Sequence, residues 1–335
     1  MTTVHAFAVR EKAGILSPFV YELGEIGPDQ VDIRVESCGI CHSDLSMIDN
    51  EWGLSTYPLV PGHEVVGTVQ ATGGRVTTLH VGQRVGLGWY SASCMHCRLC
   101  LSGDHNLCAS AEATIIGRFG GFADLVRCKS EWAIPLPDGL SANNAGPLFC
   151  GGITVFNPII QFDVKPTHRV GVIGIGGLGH LALQFLNRWG CEVTAFSSTA
   201  EKHAEAMNLG AHHVVNSKDN DAMAALSGSF DFILNTTNAN LDWGTYINAL
   251  APRGRLHTVG AVPDPIPVGA FPMILAQRSL SGSPLGSPAT TQQMLEFCDR
   301  HKIGPITEYF AMAEVNKALD HLRAGTARYR VVLNN

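Results

Sequence analysis

The sequence lacks the features that mark several classes of protein. Lysine and arginine total 23 of 335 residues and form no basic run, and the net charge is −6, which excludes a binder of nucleic acid or anionic membranes. The start, Met1 to Phe19, has no basic segment followed by an apolar one, so no secretory signal is predicted. The most apolar stretch, Val170 to Leu186, contains five glycines and is shorter than the ~20 residues of a membrane-spanning helix. These absences predict a cytoplasmic protein.

Length and composition describe an ordinary globular chain. At 335 residues, with 45% hydrophobic and 16% charged residues, it is long enough for two domains. Ten cysteines are present. In the cytoplasm such cysteines serve as reduced thiols, metal ligands or catalytic groups rather than as a disulfide framework.

The pattern of apolar residues changes about half-way along the chain. Up to about Asn144 it reads as short β-rich pieces separated by Gly and Pro, such as Val31–Val35, Val65–Ala71 and Arg84–Leu87. From Val170 onward, short apolar runs alternate with helical stretches. The runs are Val170–Ile173, Val193–Phe196, Val214–Val215, Phe230–Leu234, Leu256–Val259 and Ser279–Ser281. This alternation predicts βαβ units and a parallel sheet that is covered on both faces.

Four stretches are predicted as helices, and one run near the end as a strand. The helices are Leu178–Trp189, Ala200–Leu209, Thr290–Arg300 and Ala313–Arg323. The run Val331–Leu333 is predicted to be a strand that returns to the first half of the chain.

A glycine-rich turn follows the first of these apolar runs. Gly174, Gly176 and Gly179 match G-x-G-x-x-G, with Gly177 and Leu178 between the last two. The three glycines permit a tight turn, backbone approach to a pyrophosphate and close helix–strand packing. The helix N-terminus would then face the phosphates. The alternative is a tight turn of purely structural importance, but the βαβ context favours a dinucleotide site.

The end of the second predicted strand favours NADP(H) over NAD. NAD sites usually have an acidic residue here to bind the ribose 2′-hydroxyl. This chain has none at the strand end and instead offers hydroxyls and a lysine, which suit a 2′-phosphate. These residues are Ser197, Ser198, Thr199 and Lys202. The alternative is a serine helix cap beside an exposed lysine.

Four cysteines form a compact cluster with C-x2-C-x2-C-x7-C spacing: Cys94, Cys97, Cys100 and Cys108. Four thiolates at this spacing can close a tetrahedron around Zn²⁺ with no open position, which is typical of a structural site. His96 and His105 lie within the segment and are alternative ligands.

A catalytic metal instead requires three protein ligands and one open position. The candidate ligands are scattered along the chain, and spacing alone does not select among them. They are Cys38, Cys41, His42, His63, Glu64, Cys128 and Cys150. Any one of them could equally be a core residue.

Taken together, the motifs resemble those of a known family. Gly39–Leu45 (GICHSDL), Pro61–Gly67 (PGHEVVG), the four-cysteine segment and Cys150–Thr154 (CGGIT) are similar to the zinc-dependent medium-chain dehydrogenases/reductases. The chain resembles their cinnamyl alcohol dehydrogenase branch, and within it the bacterial NADPH-dependent broad-specificity aldehyde reductases. The resemblance extends from Val4 to Leu333.

The resemblance implies a catalytic zinc bound by Cys41, His63 and Cys150, with Glu64 as an adjacent carboxylate that can move onto the metal. It also implies that Asp44 orients the ligand histidine, a role that second-shell carboxylates commonly have. Ser43 matches the hydroxyl that passes a proton to the product. Many relatives continue this relay through a histidine three residues later, where this chain has Ser46.

The resemblance implies further binding residues. Trp89 matches a position that lines the substrate pocket, and Trp52 is a second candidate for its wall; either could instead fill the core. His42 and Arg330 match positions near the cofactor pyrophosphate, although Arg330 could equally be an exposed strand residue. Val259 and Ser281, at the ends of predicted strands, complete the set of cofactor candidates.

The predicted architecture is α/β, with a β-rich GroES-like catalytic domain and a Rossmann cofactor domain. The GroES-like domain comprises residues 1–151 and 289–335 and carries the structural zinc, and the Rossmann domain comprises residues 152–288. Cys38, Cys128, Cys191 and Cys298 receive no role. A homodimer is expected, because such chains usually pair through the cofactor domain.

The expected function is zinc- and NADPH-dependent reduction of aldehydes to primary alcohols with broad specificity, reversible to alcohol oxidation. One alternative is an NAD-dependent alcohol or polyol dehydrogenase. A second is a non-catalytic zinc protein that senses NADPH or redox state. The four-cysteine segment disfavours the zinc-free quinone reductases of the same fold.

Overall fold

The computed structural model describes residues 1–198 and 202–335, so Thr199 of the predicted cofactor set lies outside the described residues. The chain divides into two compact units. The first comprises Met1–Ile153 with Leu285–Asn335, and the second comprises Thr154–Pro284. The predicted boundaries lie two and four residues from these points. No helix in the described ranges is long and apolar enough to cross a membrane.

The N-terminal part of the first unit consists mainly of strands. Its elements are β1 (Thr2–Ala8), β2 (Ser17–Leu23), β3 (Gln30–Ile40), α1 (His42–Ile48), β4 (Val65–Thr72), β5 (Arg84–Leu87), β6 (Tyr90–Ala92), α2 (Arg98–Leu101), β7 (Glu112–Ala113), β8 (Leu125–Lys129), β9 (Ile134–Pro135) and α3 (Ala142–Ala145). The predicted strands between residues 31 and 87 are all present. Helix α1 was not predicted, because its residues share no periodic apolar face.

Strands and helices alternate regularly in the second unit. The unit boundary falls within α4 (Gly151–Gln161). The elements that follow are β10 (Arg169–Ile173), α5 (Gly179–Trp189), β11 (Glu192–Ser197), α6 (His203–Asn208), β12 (His213–Asn216), α7 (Asn220–Ala225), β13 (Phe230–Asn235), α8 (Trp243–Ala249), β14 (Leu250–Thr258), α9 (Ala270–Ala276) and β15 (Ser279–Gly282).

The chain then completes the first unit. Its last elements are α10 (Pro288–His301), β16 (Thr307–Ala311), α11 (Val315–Arg323) and β17 (Arg330–Asn334). Strand β17 pairs antiparallel with β3, with Val331 opposite Ile40 and Leu333 opposite Cys38. This pairing confirms that the run near the end returns to the first half of the chain.

The main sheet of the first unit has the order β16-β17-β3-β4-β5-β9, and β8 also pairs with β3. The eleven-residue β3 therefore lies at its centre and pairs with β17, β4 and β8. The core against this sheet includes the fully buried Ile33, Ile40 and Phe122. The central strand β3 leads directly into α1, with Cys41 as the one residue between them.

The sheet of the second unit is parallel throughout, in the order β12-β11-β10-β13-β14-β15. Strand β10, which leads into the glycine-rich turn, is central and buried along Val170–Ile173. Aromatic and aliphatic side chains such as Phe196, Ile233 and Leu256 pack in the core of the unit. This order, with a central first strand and helical crossovers, is the Rossmann-type arrangement predicted from the alternation.

Candidate active site

Helix α1 places the first sulfur of the candidate metal site. Cys41 is its N-cap, and its sulfur accepts a hydrogen bond from the Ser43 N–H at 3.2 Å. Asp44, on the first turn, accepts the Cys41 N–H at 3.0 Å through Oδ2, which completes a capping box. These local bonds fix the direction of the Cys41 side chain where the sheet ends.

The second ligand is held by the same carboxylate. Asp44 Oδ1 accepts the Gly62 N–H at 2.9 Å and lies 3.1 Å from His63 Nδ1. Asp44 and His63 are both completely buried. Because Nδ1 faces the carboxylate, Nε2 is directed at the Cys41 sulfur, 3.1 Å away. The structure thus places Asp44 in contact with the candidate ligand His63, as its predicted orienting role requires.

The third ligand comes from a distant part of the chain. Cys150 ends a short 3-10 turn over Gly146–Phe149 and precedes α4. Its sulfur lies 3.9 Å from that of Cys41. One ligand atom from each of Cys41, His63, Glu64 and Cys150 lies within 4.8 Å of the others. The structure therefore brings together the predicted catalytic set from three separated stretches of the chain.

The donor atoms of this group fit a zinc ion. Two sulfurs ~2.3 Å from a tetrahedral zinc would be ~3.8 Å apart, close to the observed 3.9 Å between Cys41 and Cys150. Two sulfurs and an imidazole nitrogen are also the ligand types that zinc prefers. Glu64 Oε2 is buried and has no hydrogen-bond partner within the described residues, which an ion at this place would supply.

Burial and mutual contact shift the pKa values of these groups. Although burial opposes ionisation of Cys41, its contacts with Cys150 and His63 lower the pKa of that thiol well below its usual range. The hydrogen bond with Cys41, together with burial, raises the pKa of Cys150. Burial opposes protonation of His63, but Asp44 and Cys41 outweigh it and raise its pKa. A thiolate is thus already favoured at Cys41, and metal binding displaces the remaining protons.

Glu64 has a buried counter-ion. An Arg330 Nη atom on β17 donates to Glu64 Oε1, and both side chains are almost fully buried. The interpretation of Arg330 as an exposed strand residue is therefore wrong, because β17 lies beside β3 inside the unit. Burial raises the pKa of Glu64 even though Arg330 opposes the shift. Gly39 makes room for this carboxylate, since a Cβ there would lie 2.0 Å from Glu64 Oε2.

The two predicted tryptophans lie beside the metal ligands. Trp89 packs edge-on against His63 with ring centroids 5.0 Å apart, and Trp52 packs against Trp89 at 6.0 Å. Trp52 remains 41% exposed, so its ring is not filling the core. Trp89 also borders a small cavity together with Trp132 and Phe149. An aromatic wall of this kind suits an apolar molecule at the metal.

Helix α1 carries Ser43, which is predicted to pass a proton to the product, and Ser46, which stands where many relatives have a histidine. Ser43 is half-buried, and Ser46, one turn later, is buried. His42 is the exposed first residue of the helix. The Ser46 hydroxyl donates to Glu51 Oε2 at 2.6 Å. Glu51 was not predicted, because an isolated acidic residue in a loop carries no sequence signal.

The four-cysteine segment forms a second candidate metal-binding group in the first unit. Its sulfurs all lie within 4.8 Å of one another, with Cys94–Cys100 and Cys97–Cys108 separations of 3.9 Å. Backbone N–H groups of His96 and Cys97 lower the pKa of Cys94 to about 6. His105 Nδ1 instead lies 3.2 Å from the Gly103 carbonyl. The group therefore consists of cysteine sulfurs, in the pattern expected of a closed zinc site.

The glycine-rich turn of the second unit has the geometry of a phosphate-binding turn. Gly174 has φ +86°, a left-handed conformation that favours glycine. A Cβ at Gly179 would lie 1.9 Å from the Gly174 carbonyl oxygen, whereas one at Gly176 would meet open space. Gly177 and Leu178 then lead into α5, whose first residue is Gly179. The three glycines thus fulfil the turn, the approach and the packing requirements.

The other cofactor candidates lie around this sheet. Lys202 Nζ donates to the Ile175 carbonyl at 3.2 Å, which places a positive charge on the glycine-rich turn. Ser197 is buried at the end of β11, and Ser198 is exposed after it. Val259 follows β14, and its N–H donates to Asn235 at 3.0 Å. The Ser281 hydroxyl on β15 instead lies 2.9 Å from His257 Nδ1.

Comparisons with known proteins agree with this geometry. Residues 27–138 match the alcohol dehydrogenase GroES-like domain, and residues 177–300 match the zinc-binding dehydrogenase family. Over 332 residues the chain is 55% identical to aldehyde reductase AdhA of Synechocystis sp., covering 99% of both chains. The chain belongs to the zinc-dependent medium-chain dehydrogenase/reductase family.

Solved structures support the same assignment and its branch. A cinnamyl alcohol dehydrogenase from Sorghum bicolor superposes with a TM-score of 0.94 at 36% identity, covering 99% of this chain and 98% of the other. CAD from Helicobacter pylori, solved as a complex with NADP(H), has a TM-score of 0.90 at 28% identity, with coverage of 99% and 98%. This dehydrogenase therefore belongs to the cinnamyl alcohol dehydrogenase branch, and it is an oxidoreductase of the alcohol dehydrogenase and aldehyde reductase class.

Proposed function

We propose that this chain reduces aldehydes to primary alcohols with NADPH and a zinc ion held by Cys41, His63 and Cys150. The observation that carries the proposal is the buried ligand group in which Asp44 orients His63 towards the Cys41 sulfur. Glu64 supplies an additional carboxylate to this site. The alternative of a non-catalytic sensor offers no reason for a mixed ligand set bordered by an aromatic wall.

Zinc supplies a Lewis acid and NADPH a hydride when the two are bound. The chain's own residues then position the aldehyde and deliver the proton. Trp52 and Trp89 form an apolar wall beside His63 for the aldehyde tail. Ser43 holds the hydroxyl that gives its proton to the product oxygen. Broad specificity for aliphatic and aromatic aldehydes is part of the proposal, since aromatic rings can pack against either kind of tail. Alcohol oxidation is the reverse reaction.

A second zinc belongs to Cys94, Cys97, Cys100 and Cys108. Metal analysis beside NADPH oxidation with a panel of aliphatic and aromatic aldehydes tests both parts of the proposal. We expect two zinc ions per chain and rapid turnover of several aldehydes. One zinc ion per chain without turnover would instead favour the sensor.

The cofactor preference is proposed to be NADP(H). Lys202 on the glycine-rich turn and the hydroxyls of Ser197 and Ser198 support it, because they offer a positive charge and hydrogen bonds to a 2′-phosphate. We expect Lys202→Ala to raise KM for NADPH about 10-fold and leave KM for NADH nearly unchanged, since one charge-assisted contact of ~1.5 kcal/mol is lost. A wild-type preference for NADH would overturn this assignment and favour the NAD-dependent dehydrogenase. His42 and Arg330 remain proposed contacts of the pyrophosphate.

The chain is proposed to form a homodimer through its second unit and to act in the cytoplasm, where NADPH is normally kept reduced. Strand β15 is at one edge of the parallel sheet. On the neighbouring α9, Phe271, Ile274 and Leu275 are each at least 70% exposed. A second copy that covers these apolar side chains accounts for their exposure. We expect light scattering to report a dimer and Ile274→Glu to shift it to monomer.

A further inference from the structure

Three side chains that take no part in the metal sites are hydrogen-bonded in series at the end of α11. The Thr326 hydroxyl oxygen lies 2.9 Å from His321 Nδ1, and His321 Nε2 lies 2.5 Å from Glu308 Oε2. Glu308 is on β16, and His321 is on the last turn of α11. A hydroxyl, an imidazole and a carboxylate in this order are the arrangement of a nucleophile, a general base and the group that orients the base.

The turn after α11 brings the hydroxyl back to the imidazole. Gly325 has φ +67°, a left-handed conformation that favours glycine, and its N–H donates to the Leu322 carbonyl at 3.0 Å. A turn of this kind ends the helix and reverses the chain, so that Thr326 returns to the last helical turn. Its hydroxyl also lies 3.1 Å from the His321 carbonyl oxygen. The two contacts hold the Thr326 oxygen beside the ring.

The carboxylate determines which ring nitrogen faces the hydroxyl as an acceptor. Glu308 Oε1 accepts the Arg328 N–H at 2.8 Å, which fixes the direction of the carboxylate. Because an ionised carboxylate only accepts hydrogen bonds, His321 Nε2 carries the proton in its contact with Glu308. In the neutral ring, Nδ1 then presents its lone pair to the Thr326 hydroxyl. This is the tautomer that a general base for Thr326 requires.

The hydroxyl is open to solvent, and the base behind it is partly enclosed. Thr326 is exposed, whereas the side chain of His321 is only 28% exposed and packs on Phe310 with ring centroids 5.8 Å apart. The N–H of Ala327 has no hydrogen-bond partner within the described part of the chain. An N–H on the residue after the nucleophile is a donor that hydrolases use to stabilise a developing oxyanion. A substrate can therefore reach Thr326 from solvent and find this donor next to it.

We propose that Thr326 accepts an acyl group from activated carboxylic esters and that water then releases it. The inference is independent of the proposed aldehyde reduction. First, the Thr326 oxygen bonds to the ester carbonyl carbon, the bond from that carbon to the leaving oxygen breaks, and the hydroxyl proton passes through His321 Nδ1 to the leaving oxygen. Water then attacks the acyl carbon and gives a proton to His321, which returns it to the Thr326 oxygen. The sum is ester and water going to carboxylic acid and alcohol.

The surroundings of Thr326 favour esters with a good leaving group that carries negative charge. A threonine hydroxyl is a weak nucleophile even beside a base, so the bond to the leaving oxygen must break readily. Arg328 is exposed, and its Nη1 donates to the Ala327 carbonyl at 3.3 Å. A cation thus lies two residues from the nucleophile, where it attracts a phenolate-like leaving group. Aryl esters of small carboxylic acids meet both conditions.

Two variants and one matched control test the site with 4-nitrophenyl acetate as the probe. Thr326→Val keeps the side-chain shape without the hydroxyl, and His321→Phe keeps a ring against Phe310 without the nitrogens. Thr307→Val is the control, because its hydroxyl on β16 bonds to the Tyr309 hydroxyl at 2.7 Å rather than to an imidazole. We expect release of 4-nitrophenol to fall roughly 10-fold or more in the first two variants, and to match the wild type in the control.

Further readouts separate the reaction from a structural role. Peptide mapping by mass spectrometry should find an acetyl group on Thr326 in the wild type and not in His321→Phe. Thr326→Ser retains a hydroxyl and should keep most of the wild-type rate. Glu308→Gln weakens the orientation of the ring, so kcat for the ester should fall roughly 10-fold with KM unchanged. Zinc content, melting temperature and aldehyde reduction in Thr326→Val should match those of the wild type.

Three results would overturn the acyl-transfer site and leave aldehyde reduction intact. The first is equal release of 4-nitrophenol by the wild type and Thr326→Val, or acetyl groups in the wild type only at other residues. The second is equal acetylation of Thr326 in His321→Phe, because the hydroxyl would then react without the imidazole. The third is a lower melting temperature of Thr326→Val with unchanged ester release, which would mean that the three side chains only join α11 to β16.

Discussion

The two candidate metal-binding groups of the first unit are built in different ways. The four cysteines lie between residues 94 and 108, and the sulfur of Cys94 is fixed by neighbouring backbone N–H groups. The other group joins Cys41 to Cys150 across 109 residues and depends on Asp44 and Arg330 for orientation and charge. A short segment is enough to bring four cysteine sulfurs together. The site with mixed ligands forms only when the main sheet of the first unit brings distant segments side by side.

The largest effect should come from removing one sulfur from each group. Cys150→Ser takes away a ligand of the reactive site, so we expect roughly 10³-fold or greater loss of aldehyde reduction, because metal polarisation contributes several kcal/mol. Zinc content should fall from two to one, with little change in melting temperature. Cys97→Ser should instead lower the melting temperature strongly, because the closed cage stabilises its segment. Two zinc ions and full activity in Cys150→Ser would contradict the assignment of Cys150 as a ligand of the reactive site.

The second-largest effect should come from the buried ion pair of Glu64 and Arg330, which has no counterpart in the four-cysteine group. Arg330→Met leaves Glu64 buried without its counter-ion, so we expect the free energy of unfolding to fall by about 3–5 kcal/mol. The double variant Arg330→Met with Glu64→Gln removes both charges and should recover most of this loss. Urea unfolding of Arg330→Met, of Glu64→Gln, of the double variant and of the wild type gives the coupling free energy. A coupling near zero would mean that the pair contributes nothing to the mixed site.

A smaller effect should follow from changing the carboxylate that orients the histidine. Asp44→Asn places an amide opposite N–H donors and weakens the fixed direction of His63, so we expect the affinity for the reactive zinc to fall about 10- to 100-fold. The matched control is Asp104→Asn, whose carboxylate lies in the four-cysteine segment and accepts Ser102. Competition with a chelator measures both. Equal loss of zinc in Asp44→Asn and Asp104→Asn would show that the mixed site does not depend on an orienting carboxylate more than the four-cysteine site does.

The smallest effect should come from a cysteine that belongs to neither group. Cys38 on β3 is completely buried, and burial raises the pKa of its thiol well above the usual range. We expect Cys38→Ala to keep two zinc ions and full activity while losing about 1 kcal/mol of stability to a small cavity. Metal analysis and the melting temperature check this prediction. Loss of a zinc ion in Cys38→Ala would instead indicate that Cys38 is a metal ligand.

The sequence was most informative where the structure is local. The four-cysteine spacing and the Gly174–Gly179 turn both predicted their geometry, because every contact that matters lies within a few residues. The parallel sheet was equally accessible, since its strands are continuous apolar runs. These features need no knowledge of how distant segments meet.

Long-range features were accessible only by resemblance or not at all. Cys150 could not be chosen by spacing, because its distance from Cys41 in space is set by the sheet and not by the chain. The burial of Arg330 depends on the pairing of β17 with β3, which a short apolar run does not reveal. Glu51 was missed for a different reason. Its contact with Ser46 is local, but an isolated acidic residue in a loop carries no sequence signal.

The pairing of Glu64 with Arg330 also has a consequence for the order of synthesis. The two residues are 266 positions apart, so at roughly 5–20 residues per second the carboxylate waits about 13 to 53 s for its counter-ion. The four cysteines, within 14 positions of each other, are all made within about 1 to 3 s. The proposed four-cysteine zinc site can therefore form while the rest of the chain is still being made. The site at Cys41 acquires its full charge balance only when β17 joins the sheet.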